Sequence, residues 1–205
     1  MKLQSRPASV VKLDPARRTR QPIDDAALLS RIVAVQGEIV LAGLDPHKVV
    51  DVVTRRAQEL THSSGAVVEL LDGDDLVYWS ASGSVEPQLG LRVNADRSLS
   101  GLCIRTGRVL SCVDSESDPR VDIEACRRVG LRSMLVAPLP YGDTVIGVLK
   151  VVAPVVDAYK PEDVRALELL NTLIGAALSH AAHHMSVEAE FNSKLEAARL
   201  AAEER

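Results

Sequence analysis

Residues 130–152 read GLRSMLVAPLPYGDTVIGVLKVV. Two apolar runs, 134–139 and 145–152, flank Pro140-Tyr141-Gly142-Asp143. Pro140 fixes its own φ and Gly142 tolerates a positive one, so the segment predicts a β-hairpin turning within that tetrapeptide. In the second run Ile146, Val148 and Val152 alternate with Val145, Leu149 and Val151, and only Gly147 and Lys150 interrupt. A strand that is apolar on both faces must be covered on both. The hairpin is therefore expected at the centre of a sheet.

The whole chain, 205 residues with a formal charge of −4, has room for one sizeable domain plus helical extensions. Its net charge leaves no footprint for nucleic acid. The three cysteines, 103, 112 and 126, lack CxxC spacing. An odd count without a metal pattern predicts reduced thiols and a cytoplasmic protein. The N-terminus has no apolar signal core, and no run approaches the roughly 18–20 apolar residues that span a bilayer, so no membrane segment is expected.

Residues 1–22 carry Pro7, Pro15, Pro22 and a short Arg17-Arg18-Thr19-Arg20 cluster without apolar period. They read as a disordered, solvated leader. From 23 to 43 a helix is predicted, because Leu28, Ile32, Val35, Ile39 and Ala42 recur at spacings of four and three. Gly43 ends it. Asp45-Pro46 starts a second helix over 46–62, with Asp45 as N-cap and Pro46 at the first helical position. Strands are expected at 65–71 and 76–82 across the turn Asp72-Gly73-Asp74-Asp75, then near 88–93. A short helix (98–106), a strand (109–113) and another short helix (122–129) lead into the hairpin. Beyond it, Lys160-Pro161-Glu162-Asp163 starts a long helix. Its heptad register runs through Leu170, Ile174 and Ala177 to Phe191, Leu195 and Ala202. About 40 residues of such register exceed what one small sheet can cover, so pairing with a second copy is predicted.

This order of elements resembles a GAF domain. The likeness rests on SLSGLCIRTGRVLSCVD (98–114), on Asp118-Pro119-Arg120, and on Arg132-Ser133, Pro138-Leu139 and Ile146-Gly147-Val148-Leu149 within 131–152. It implies an α+β fold: a central antiparallel six-stranded sheet, helices on both sides, and long coiled-coil-like terminal helices. The first, second and last helices would cover one face, and the two short helices would roof a pocket on the other. The resemblance divides the chain into a leader (1–22), an N-terminal helix (23–43), a GAF domain (44–182) and a C-terminal signalling helix (183–205). It further implies a small-molecule sensor that is not itself an enzyme. Its signal would pass through dimeric terminal helices to an appended output domain, first a GGDEF diguanylate cyclase making cyclic di-GMP, otherwise a histidine kinase.

Residue types narrow the ligand. Bilin-binding relatives attach the chromophore through a Cys that His usually follows. Here Arg127, Ile104 and Val113 follow the three cysteines, which argues against a bilin. No His lies between Ser63 and Ser179, which argues against a His-ligated haem in the pocket. The cyclic-nucleotide signature after the last strand is matched only by Tyr159. Free methionine-(R)-sulfoxide reductase, a GAF enzyme, offers a thiol alternative. Gly101-Leu102-Cys103 resembles its resolving-Cys stretch and Cys126 holds the place of its catalytic Cys, but the surrounding Asp-Ile-Glu-Ala-Cys-Arg departs from its pattern.

The candidate ligand residues are Tyr78, Leu99, Cys103, Asp114, Arg120, Cys126, Arg132 and Met134. Arg120 or Arg132 could clamp a carboxylate or phosphate; otherwise Asp118-Pro119-Arg120 caps the next helix and pairs with Arg127 or Arg128. The candidate dimer interface is Leu28, Ile32, Val35, Leu170, Ile174, Phe191 and Leu195. His180, His183 and His184 read as polar coiled-coil positions rather than a metal site. The cofactor is open. A pocket filled by Leu99, Leu102, Tyr78 and Met134 would instead make this a ligand-free GAF dimerisation module.

Overall fold

The central hairpin forms as its alternation requires. In a computed structural model, which describes residues 25–180, β5 (Ser133–Tyr141) and β6 (Thr144–Ala153) pair antiparallel with Tyr141 opposite Thr144, so only Gly142 and Asp143 form the loop. The turn is shorter than the expected tetrapeptide because Pro140 and Tyr141 continue the strand. A register irregularity at Leu139/Pro140 accommodates the proline, as bulges do. Strand β6 lies at the middle of a six-stranded sheet ordered β3-β2-β1-β6-β5-β4, antiparallel throughout. The other strands are β1 (Gly65–Asp72), β2 (Asp75–Gly83), β3 (Arg92–Asn94) and β4 (Leu110–Cys112). The strand expected near 88–93 is displaced: Glu86–Gln88 form a 3₁₀ turn, and pairing with β2 begins only at Arg92.

Local chemistry sets the helix boundaries. Helix α1 (Asp25–Ala42) stops at Gly43, whose φ is +73°. Helix α2 (Pro46–Leu60) starts where Asp45 Oδ1 accepts from the backbone N–H of His47 at 3.0 Å. It ends two residues before the expected limit, because His62 turns to φ +51°. Helix α3 (Leu99–Thr106) is capped by Ser98, and α4 (Ile123–Arg128) by Asp122. Residues 161–180 form a further helix, α5.

Strand parity builds two cores. On one face Ala66, Val68, Leu135, Ala137, Leu139, Leu149 and Val151 pack against α1, α2 and α5. On the other, Val67, Met134, Val136, Val148 and Val152 pack under α3 and α4. One expectation changes here. Leu28, Ile32, Val35, Leu170 and Ile174, assigned from their heptad spacing to a dimer interface, are at most 8% exposed within the single chain. Helix α1 lays its apolar stripe on α2, and together with α5 they close the core over that sheet face. Such side chains have no surface left for a second copy. The outward side of α1 instead shows Leu29, Val33, Val40 and Leu41, each more than half exposed. Phe191, Leu195, His183, His184, the whole C-terminal signalling helix (183–205) and the leader lie outside the described residues. Among the described residues no helix is long and apolar enough to cross a membrane.

Candidate functional site

Inside the sheet face under α3 and α4 lies a group of polar side chains. Lys150 of β6 and Glu69 of β1, 7% and 0% exposed, form an ion pair there. Lys150 Nζ also donates to Tyr78 Oη of β2 at 3.1 Å and lies 5.0 Å from the centre of the Tyr78 ring. The register explains the meeting: Tyr78 stands directly opposite Glu69, and Lys150 is two residues along β6 from Val148, the partner of Glu69. These are the direct and diagonal neighbour positions of a sheet face.

A bulge makes the arrangement possible. Val68 pairs with Ser80 and Glu69 with Tyr78, so Trp79 is the extra residue of β2. One inserted residue reverses the side-chain parity of everything beyond it. Ser80 therefore points to the helix side, where its hydroxyl donates to Asp51 at 2.6 Å, while Tyr78 turns to the inner face. Without the insertion Tyr78 would share the side of Ser80.

The electrostatics follow from burial. Desolvation works against the Lys150 ammonium, yet Glu69 and Tyr78 outweigh it and hold the lysine above its ordinary range. Burial pushes the Tyr78 phenol up as well. One carboxylate oxygen, Glu69 Oε2, is buried and accepts no hydrogen bond among the described residues. The shell around the group is apolar and thiol-lined: Leu99 and Cys103 from α3, Cys126 from α4, Met134 from β5, all at most 6% exposed.

The residues singled out in the sequence thus separate into two sets. Tyr78, Leu99, Cys103, Cys126 and Met134 converge on the inner face. Asp114, Arg120 and Arg132 do not join them; each is engaged at the surface. Arg132 donates twice to Asp114 Oδ1 and once to Oδ2, all at 3.0 Å. Arg120 grips Asp118 through Nε at 2.8 Å and a terminal nitrogen at 2.6 Å, and reaches the carbonyl of Ser111 at 2.7 Å. Arg127 pairs with Glu116 and Glu124 rather than with Asp118. These arginines staple the 111–132 segment to itself, and Arg120 and Arg132, the residues expected to clamp an anion, each already hold a carboxylate.

The Arg120 guanidinium holds the Asp118 carboxyl down at about 2, against an ordinary 3.8. A depressed carboxylate stabilises the fold above its unfolded pKa and loses that contribution as pH falls through its folded one. Arg120→Ala should therefore cost about 1 kcal/mol at pH 7, reduced from the full linkage value because the arginine is partly exposed. The difference from wild type should close as urea titrations are taken from pH 4 toward pH 2.

All three cysteines are free thiols and buried. Burial, reinforced by the Glu69 charge, pushes Cys103 up to about 12. Burial and then Asp118 push Cys112 up to about 12. Burial raises Cys126 too, with Lys150 opposing. The Cys103 thiol donates to the carbonyl of Arg108, with Sγ 3.1 Å from the oxygen. Thiolates are the reactive species, so Ellman's reagent at pH 8 should modify the native chain at least about 100-fold more slowly than the guanidine-unfolded one. A single fast-reacting thiol in the native protein would contradict this.

Two residues of this buried polar group, Glu69 and Lys150, were not anticipated. A signal existed for one: Lys150 is the lone charge inside the central strand, where a solvated lysine has no place. Its partner lies in another strand, and only the three-dimensional register shows it.

A family model for the GAF domain matches residues 43–179. Among solved structures, the chain is similar to the GAF domain of the Acinetobacter phosphoenolpyruvate-protein phosphotransferase. There the TM-score is 0.66 at 17% identity, covering 78% of this chain and 97% of that one. It is similar to free methionine-R-sulfoxide reductase of Neisseria meningitidis, solved with its substrate. The TM-score is 0.69 at 17% identity, covering 80% and 96%. It is also similar to the phycoerythrobilin-bound GAF domain of a cyanobacterial phytochrome, with a TM-score of 0.65, 15% identity and coverage of 77% and 97%. A comparison with curated protein sequences returns no match.

Proposed function

Since the chain belongs to the GAF domain family, whose members serve as sensory and regulatory modules in signalling proteins, we propose that it senses a small molecule on the inner sheet face. The observation that carries this reading is the Tyr78–Glu69–Lys150 group. A charged pair set in an apolar shell costs more desolvation than apolar residues of the same size would. Here it leaves a carboxylate oxygen without a donor as well. That combination has a use when a bound molecule supplies the missing partner.

Transmission has a short physical route. Met134 and Val136 face the inner cluster, while their neighbours Leu135 and Ala137 face α1 and α5. The sheet is one strand thick, so lifting α3 or α4 shifts β5 against α5. Asn171 of α5 is also tied to β5, donating to the carbonyl of Pro138. The proposal continues to a homodimer, formed through the exposed side of α1 at Leu29, Val33 and Val40 rather than through the buried stripe. Its output domain would be a GGDEF diguanylate cyclase first and a histidine kinase second, as the family resemblance implies.

One observation favours a second reading, a ligand-free dimerisation module: Tyr78, Leu99, Cys103 and Met134 already pack against one another, each at most 4% exposed. The thiol-enzyme alternative is disfavoured by the raised thiols. Native mass spectrometry of the purified chain decides between the first two. A dimer carrying a discrete extra mass that Tyr78→Phe removes supports the sensor. A bare dimer, with no stabilisation by a metabolite library, supports the dimerisation module, and a monomer overturns the route through α1.

A further inference from the structure

The polar group also restricts what the ligand can be, an inference that rests on the sensory reading above. Lys150 and Glu69 neutralise each other within the chain. A cationic ligand drawn to Glu69 Oε2 would meet the Lys150 ammonium beside it. An anionic ligand drawn to Lys150 would meet the Glu69 carboxylate. Either would bring a net charge into a shell formed by Leu99, Met134, Val136 and Val148, where an uncompensated charge is strongly disfavoured.

The remaining hydrogen-bonding capacity is specific. Glu69 Oε2 can accept and has no donor. Tyr78 Oη already accepts from Lys150, so its own proton is free to be donated. Lys150 uses two of its three N–H donors, so the group presents one unused acceptor and two unused donors, the Tyr78 hydroxyl and one Lys150 N–H, on three neighbouring strands. We propose that this site takes an uncharged ligand bearing a hydrogen-bond donor and acceptor side by side, as a carboxamide or lactam does, with its apolar body under α3 and α4. The ligand N–H meets Glu69 Oε2 and its carbonyl accepts from Tyr78. No bond is made or broken. To enter, the ligand displaces the packing of Leu99 and Met134, which is the change passed to β5.

Four probes test this on the full chain: benzamide and δ-valerolactam, against the charged counterparts benzoate and benzylammonium, titrated by NMR. Benzamide or the lactam should bind saturably, and both charged probes should bind at least about tenfold more weakly. Tyr78→Phe should weaken the neutral probe about tenfold without unfolding the chain. The double variant Glu69→Gln/Lys150→Met, which removes both charges together, should do the same. A charged probe that binds as tightly as its amide overturns the inference. So does the absence of saturable binding by either neutral probe, or affinities unchanged in both variants. The two proposals fail separately. A charged molecule co-purifying at this site, lost in Tyr78→Phe, overturns the ligand class and leaves the sensor standing. Amide binding in a protein for which neither native mass spectrometry nor the metabolite library finds a ligand does the reverse.

Discussion

Lys150→Met should lower folding stability by about 3–5 kcal/mol in urea unfolding at pH 7, the cost of leaving a buried charge without its partner. Methionine fills the space of the lysine stem, so packing loss is a small part of the effect. What remains is Glu69, fully buried and facing Tyr78 with no cation nearby. Adding Glu69→Leu to the same protein should restore most of the loss, because paired apolar replacements of buried ion pairs are often neutral or stabilising. A double variant as unstable as the single one would mean that Lys150 acts by shape. The alkaline limb gives a second check. The lysine is held above its ordinary 10.5 in the fold, so its contribution is complete below the unfolded value and disappears only as pH rises beyond the folded one. Wild-type urea unfolding should therefore show no loss of the Lys150 contribution from pH 6 to 9.

The elements legible in the sequence were those governed by neighbours in the chain. The alternation of 145–152 gave the central strand, Asp45-Pro46 gave the start of α2, and the two short helices, expected at 98–106 and 122–129, form over Leu99–Thr106 and Ile123–Arg128. Two kinds of information were not local. The bulge at Trp79 has no signature in LVYWSAS, yet it decides that Tyr78 and not Trp79 faces Lys150. The heptad spacing of α1 is equally compatible with a partner helix and with a sheet. Here the stripe packs on α2 and joins the core on the helix side of the sheet. Of the candidate ligand residues, the apolar and thiol ones lie together in the buried cluster of the inner face. The charged ones do not, since Asp114, Arg120 and Arg132 find partners within their own loop.

Gly101→Ala should be among the most damaging single-methyl additions in the chain, at about 3 kcal/mol, the upper end for overpacking. A Cβ at this position would lie 1.7 Å from the carbonyl oxygen of Ala95 and 2.5 Å from its carbon. Both are backbone atoms, so no rotamer change relieves the contact. The 95–98 turn is itself fixed to α3, with Ser98 Oγ donating to that same carbonyl at 3.2 Å and accepting from the Gly101 N–H at 3.1 Å. The methyl must therefore push α3 away from the turn, breaking the cap or lifting the helix from β5 and β6. Lifting exposes Cys103, which α3 holds fully buried. The variant should then show faster Ellman labelling together with its lower urea midpoint. Gly37→Ala separates this steric effect from a general response of helices to the substitution. Nothing lies within 4 Å of a Cβ there, and alanine in mid-helix is favoured over glycine by about 0.5–1 kcal/mol. The same substitution should thus stabilise α1 and destabilise α3. Equal effects at the two sites would show that the close approach of α3 to the Ala95 carbonyl is not what seats that helix over the inner face.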